Sequence, residues 1–140
     1  MSAPTIDHIG IIVQNLERSI AMFERLFHLK PSKIKNMPEV GLKIAQLNAA
    51  NINIELLQYL GKEESLAKKT MGAKQGINHL SIEVEDIMAS LKDLGGKDLK
   101  VMEGFPRQGS HGLVAFFEPE TTAGILLEVC EKAKRRGHRA

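Results

Sequence analysis

The stretch Ile6-Asp7-His8-Ile9-Gly10-Ile11-Ile12-Val13 decides the fold, because its pattern returns as Ile77-Asn78-His79-Leu80-Ser81-Ile82-Glu83-Val84. Each copy is rich in β-branched residues alternating at period two, which reads as a strand. His8, Gly10 and Ile12 then share one face, and His79, Ser81 and Glu83 share the equivalent one. A helical stretch follows each strand, Leu16 to Phe27 in the first copy and Ile87 to Leu94 in the second. A strand-then-helix unit that occurs twice is an internal duplication of one supersecondary unit.

A duplication carries other features along at nearly constant spacing. His79 lies 71 positions after His8, and Glu128 lies 73 positions after Glu55. Both glutamates stand inside apolar strands, Asn53-Ile54-Glu55-Leu56-Leu57 and Ile125-Leu126-Leu127-Glu128-Val129. A glutamate in such a strand is rarely buried unless it is paired or ligated. If the two halves pack side by side, two histidines and two glutamates converge across a pseudo-twofold axis, and that is a metal-site geometry.

The 140 residues suffice for one domain with a core of its own, so metal is not needed merely to fold it. The formal net charge is +2, and the chain is poor in aromatics, at 4%. A nucleic-acid footprint needs a basic face with aromatic platforms, so that class is excluded. The basic run Lys132 to Arg139 reads as a solvated tail over about 133–140. Cys130 is the only cysteine, so no intramolecular disulfide forms and a reducing compartment is expected. It shares a face with Glu128, where a small buried hydrophobe is the commoner role and a catalytic thiol the alternative. Ahead of the first strand, Met1-Ser2-Ala3-Pro4-Thr5 has neither a basic flank nor an apolar run, and no segment has the length of a membrane span. A cytoplasmic protein without membrane attachment is expected.

Along the chain, Asn15 is placed to cap the first helix, whose Leu16, Ile20, Phe23 and Phe27 fall on one side and face the sheet. His28 sits at the helix end. Strands are expected over Lys30 to Lys35, Leu42 to Leu47 and Asn53 to Tyr59, giving β-α-β-β-β. In the last of these Asn53, Glu55 and Leu57 face one way and Ile54 and Leu56 the other. Glu63 to Thr70 suits a short connecting helix. The second copy runs through Asp86 as N-cap, a helix stopped by Gly95-Gly96, the segment Leu99 to Met102 and the glycine-rich loop from Gly104 to Gly112. It closes with strands over Leu113 to Phe117 and Ile125 to Glu131. That loop is open to two readings, a cover over a ligand or a plain hairpin connection.

The motifs Asp7-His8-Ile9-Gly10, Pro38-Glu39-Val40-Gly41, Ile54-Glu55-Leu56-Leu57, Asn78-His79-Leu80, Gly109-Ser110-His111-Gly112 and Gly124-Ile125-Leu126-Leu127-Glu128 occur in this order and span nearly the whole chain. With them the chain resembles the vicinal oxygen chelate (glyoxalase/bleomycin resistance) superfamily, and within it the methylmalonyl-CoA epimerases. The resemblance implies an α+β, glyoxalase-like fold: one domain of two βαβββ modules, about 5–60 and about 76–132, forming a cupped mixed sheet. It implies one divalent ion, cobalt, nickel, manganese, iron or zinc, held by His8, Glu55, His79 and Glu128; Glu128 is the expected catalytic carboxylate, with Glu55 as its partner because residue 44 is an isoleucine. It also implies substrate contacts from Gln46, Ser110, His111 and Gly112, an acyl-CoA substrate and a homodimer.

The chain departs from that pattern at two places. Some relatives carry a glutamate base three residues past the glycine of the Pro-Glu-x-Gly turn, where this chain has Ile44, and some carry a glutamine ligand where it has Glu55. With its His-Glu-His-Glu set it also resembles glyoxalase I. Three functions are therefore carried forward: methylmalonyl-CoA epimerisation, isomerisation of a thiol hemithioacetal by a lactoylglutathione lyase-type enzyme, and non-catalytic binding of a metal or small molecule.

Overall fold

The two histidine strands, β1 (Thr5–Ile12) and β5 (Gly76–Val84), pair antiparallel at the centre of the molecule. His8 lies opposite Ser81, Ile9 opposite Leu80 and Gly10 opposite His79, so the pairing maps each copy onto the other. The computed structural model describes residues 3–110 and 112–131. The expected tail over 133–140 and His111 lie outside these.

In the first module β1 is followed by α1 (Leu16–Phe27), β2 (Pro31–Met37), β3 (Leu42–Asn48) and β4 (Asn53–Tyr59). The short helix α2 (Leu66–Met71) leads to the second module: β5, α3 (Ile87–Gly95), β6 (Arg107–Gln108), β7 (Leu113–Phe116) and β8 (Leu127–Glu131). All eight strands form one sheet in the order β2-β3-β4-β1-β5-β8-β7-β6, which reads the same in each module outward from the centre. The parallel pairs agree in register as well: Gly10 lies opposite Glu55 in β1·β4, and Ser81 opposite Glu128 in β5·β8. Two βαβββ modules related by a pseudo-twofold axis are thus present.

The alternation of the strands divides the sheet into two faces. On one, α1 packs Leu16, Ile20 and Phe23 on Ala45, Leu47 and Leu56, and α3 packs Ile87 on Ala115, Phe117 and Val129. Full burial of side chains such as Leu16 and Leu56 contributes about 1.5–3 kcal/mol each. Asn15 and Asp86 cap the two helices, accepting from the Arg18 and Ala89 amides. One more amide at each helix start is satisfied from the sheet, Leu16 N by Gln58 Oε1 and Ile87 N by Glu131 Oε2. The other face is concave, with Ile12, Met37, Val40, Leu42, Ile44 and Leu57 clustered under Ala67 of α2.

Three details differ from the sequence reading. Phe27 does not face the sheet and is 68% exposed, because it is the last residue of α1. His28 in the left-handed conformation (φ 56°) turns the chain there, and Leu29 packs against the cluster instead. The glycine-rich loop contains strand β6, whereas Val101 makes only an isolated bridge to Phe117. Pro106 has no amide to give the ladder, which keeps this edge short. The last strand starts at Leu127, and Ile125 beside the turn at Gly124 is exposed.

Candidate metal centre

Because β1 and β5 run antiparallel, His8 and His79 project from the same concave face on opposite sides of the axis. Their rings meet edge to face at 5.6 Å between centroids. Glu55 arrives from β4 and Glu128 from β8, the strands that flank the central pair. All four side chains are buried. His8 Nε2 stands 3.0 Å from Glu128 Oε1 and 3.5 Å from Glu55 Oε1, and His79 Nε2 stands 3.8 Å from Glu128 Oε1.

Each imidazole is held from behind. Asp7 Oδ2 lies 2.7 Å from His8 Nδ1 and Asn78 Oδ1 lies 2.8 Å from His79 Nδ1, which leaves both Nε2 atoms facing the centre. A partner on the second ring nitrogen is the usual device for orienting a histidine ligand. His8 Nε2 and Glu128 Oε1 are buried without a hydrogen bond of proper geometry, despite their closeness. Buried polar atoms of this kind call for a partner, and an ion is the partner that imidazole and carboxylate share.

One ligand atom each from His8, His79 and Glu128 lie within 4.8 Å of one another, which suits a single ion. Glu55 touches this triad through His8. Asp7, His8 and Cys130 form a second such group. Burial raises the Cys130 thiol to about 12, so it stays protonated at neutral pH and behaves as the small buried residue expected from sequence. Burial also works against the charged form of His8, but the carboxylates of Asp7, Glu128 and Glu55 outweigh it and raise His8 to about 10. His79 moves the other way, to about 4, because burial dominates and the nearby His8 adds to it. Glu128 is fully buried, which favours its neutral form, yet His8 and His79 hold its pKa below the ordinary value. The metal-free centre is therefore an imidazolium clasped by carboxylates next to a neutral imidazole, and a cation entering it replaces a proton.

The cluster floors a cavity that is open to solvent at its mouth. Its wall is largely apolar and includes Met37, Leu42, Ile44, Leu57 and Phe116. Ser110 and Gly112 line it from the loop, which is tied across to the first module where Lys33 and Lys35 donate to the Ser110 carbonyl at 3.5 and 2.9 Å. The loop ends in a hairpin, with Arg107 and Gln108 paired to Val114 and Leu113 and Gly109 N donating to the Gly112 carbonyl at 2.7 Å, so it is the hairpin connection of the two sequence readings and its turn lines the cavity. Gln46 is opposite Glu55 in register, but its amide donates to Asn48 at 2.9 Å and it does not line the cavity. Sequence reasoning missed Asp7 and Asn78, although each directly precedes its histidine in the repeated motif. It also missed the reason for Gly10, where a β-carbon would lie 2.2 Å from His79 Cε1.

Comparison with known proteins agrees with this architecture. Residues 7–117 match the Glyoxalase/Bleomycin resistance protein/Dioxygenase superfamily. The chain is 32% identical over 132 residues to the ethylmalonyl-CoA/methylmalonyl-CoA epimerase of Cereibacter sphaeroides, covering 89% of this chain and 95% of that one. It is 30% identical over 126 residues to the mitochondrial methylmalonyl-CoA epimerase of Homo sapiens, covering 89% and 72%. The crystal structure of a hypothetical protein from Bacillus halodurans C-125 superposes with a TM-score of 0.86 over 98% of this chain and all of the other, at 29% identity. The chain therefore belongs to the Glyoxalase/Bleomycin resistance protein/Dioxygenase superfamily, in the branch that contains the methylmalonyl-CoA epimerases.

Proposed function

We propose that this protein is a metal-dependent epimerase of methylmalonyl-CoA, removing and returning the hydrogen on the carbon α to the thioester. The observation that carries the reading is the convergence of Glu55 and Glu128, from equivalent strands of the two modules, on His8 Nε2 at the floor of an apolar cavity. His8, His79, Glu128 and Glu55 would hold one divalent ion, and their mixed nitrogen and oxygen donors suit cobalt, nickel, manganese, iron or zinc. Such an ion, when bound, supplies Lewis-acid stabilisation of the negative charge that develops on the thioester oxygen.

The chain supplies the proton transfer and the surroundings. Ile44 is buried in the wall, so it offers no base at the position where some relatives have one. Three glutamates line the cavity among the described residues, Glu55, Glu128 and Glu131. Glu131 is committed to the Ile87 amide, which leaves Glu55 and Glu128 to take and return the hydrogen. Two carboxylates brought in by the two related modules are what inversion at one carbon requires. The apolar wall keeps water from the reacting carbon and strengthens the electrostatics at the floor. Ser110 and Gly112 contact the substrate from the rim.

The test is solvent deuterium exchange into the α-position of methylmalonyl-CoA with each metal in turn, alongside turnover of a methylglyoxal–thiol hemithioacetal. Exchange with methylmalonyl-CoA supports the reading, and turnover of the hemithioacetal alone replaces it with the glyoxalase-type isomerisation. The same reading makes acyl-CoA the partner and the assembled form a cytoplasmic homodimer, which sedimentation and cell fractionation test.

A further inference from the structure

Ser81 is fully buried, and its hydroxyl makes no hydrogen bond of proper geometry. A buried hydroxyl left without a partner is costly, so one kept on a central strand calls for a role. Ser81 lies on β5 opposite His8 on one side and Glu128 on the other, and shares the concave face with both. Neighbouring strands are about 4.8 Å apart, which puts the hydroxyl beside both side chains. Glu128 Oε1 is an unpartnered acceptor and Ser81 Oγ an unpartnered donor. The hydroxyl is near enough to act on its surroundings: burial raises Glu128 and Cys130, and Ser81 is among the groups that lower them. Ser81 does not line the cavity, so it acts on a substrate only through another residue.

The two modules differ at this point. Glu55 has Gly10 opposite it on β1 and Gln46 on β3, and Gly10 has no side chain to offer. Glu128 has Ser81 opposite it on β5 and Phe116 on β7. A carboxylate has lone pairs for more than one donor, so Glu128 can serve the centre and still accept from Ser81. Cys130, two residues along β8, is the other group near the hydroxyl, but a thiol is a weak acceptor. We infer that Ser81 is a positioning residue for Glu128: its hydroxyl donates to the carboxylate and fixes that side chain's approach to the reacting carbon. Glu55, with Gly10 in the matching place, is held differently. The two carboxylates therefore serve the two epimers of the substrate unequally, and Ser81 acts on one of them alone.

This inference rests on the proposed function for its substrate, and its test separates the two. The metal-loaded wild type, Ser81→Ala and Ser81→Thr are compared, and the α-deuterium isotope effect on kcat/KM is measured from each epimer of methylmalonyl-CoA. In Ser81→Ala kcat should fall about 10- to 100-fold with KM little changed, the range for loss of a group that supports a ligand. Glu128 removes the hydrogen from one epimer and returns a hydrogen when the other is the starting material. With Glu128 impaired, the isotope effect should rise from the first epimer, where removal is slowed, and fall from the second, where return becomes limiting. Ser81→Thr, which keeps the hydroxyl, should restore most of the rate. A shift of the same sign from both epimers, or no shift, overturns the inference. So does the same pair of shifts in Cys130→Ala, which would assign the hydroxyl to the thiol. Without metal, Ser81→Ala should unfold at a urea concentration no lower than the wild type, because the hydroxyl it loses had no partner. A lower one would make Ser81 structural and overturn the reading. If the wild type epimerises nothing, the proposed reaction fails, and chelator competition with cobalt still decides Ser81. Affinity about 10- to 100-fold weaker in Ser81→Ala and restored in Ser81→Thr supports the positioning role, and equal affinity in all three refutes it.

Discussion

Gly10 and His79 face each other across β1 and β5, and the imidazole of His79 occupies the space that a side chain on residue 10 would fill. The pseudo-symmetric place is taken by Ser81 opposite His8, so the duplication is not exact at its centre. One histidine lies over a bare backbone, the other beside a buried hydroxyl.

Gly10→Ala should therefore displace His79 while the sheet survives, since β1 remains paired on both sides. The expected outcome is a fall in metal affinity of about 10- to 100-fold, the range seen when the support of a ligand is disturbed. Chelator competition measures it, with circular dichroism confirming the fold. Unchanged affinity would mean that His79 is not a ligand.

Asp7 and Asn78 play the same part for the two histidines with different charge. Asp7→Asn makes the halves alike and removes a carboxylate whose hydrogen bond raises His8. Metal affinity should again drop about 10- to 100-fold. Asp7→Asn should also bring the His8 pKa of the metal-free protein down, a change visible by NMR titration.

The two histidines also set the pH dependence of stability without metal. His8 is raised to about 10, so it is protonated in the native state at pH values where the unfolded chain has lost that proton. Its contribution is full below pH 6.5 and is lost as pH climbs through 10. His79 is lowered to about 4, so the unfolded chain binds a proton below pH 6.5 that the native state refuses, and stability falls toward pH 4. Glu128, held below its ordinary value, adds stability above about pH 4.5 that is lost on acidification. Urea titrations of the metal-free protein from pH 4 to 10 should show a maximum near pH 6.5. His8→Gln should flatten the alkaline limb, and a limb that persists would assign it elsewhere.

Glu55→Gln separates ligation from proton transfer. Glutamine still offers an oxygen to the ion but does not accept a proton at neutral pH. The variant should retain stoichiometric metal and lose most α-deuterium exchange. Near-normal exchange would leave Glu55 as a ligand only and require a different second proton carrier.

The repeated histidine strand, the caps Asn15 and Asp86 and the alternation around Glu55 and Glu128 are written in short windows of sequence. Period-two burial and capping depend on neighbours within a few residues, so they are legible there. The offsets of 71 and 73 residues extended that local reading to the pairing of the modules and brought together His8, Glu55, His79 and Glu128. Register between distant strands and the use of space across them were decided by tertiary structure. Gln58 and Glu131 became helix caps only because the sheet carries them under α1 and α3, at separations of 42 and 44 residues. Phe27 fits the helical stripe, but the helix ends there and leaves it in solvent. Gln46 shares the face of the centre and yet turns to Asn48, which satisfies its amide at short range. Arg107 gives no signal in a glycine-rich loop, because its place in the cavity wall and the burial of its Nε are set across the fold. A side chain's neighbours along the chain are set by the sequence alone, whereas the charge and space it meets across the fold exist only once the strands have closed.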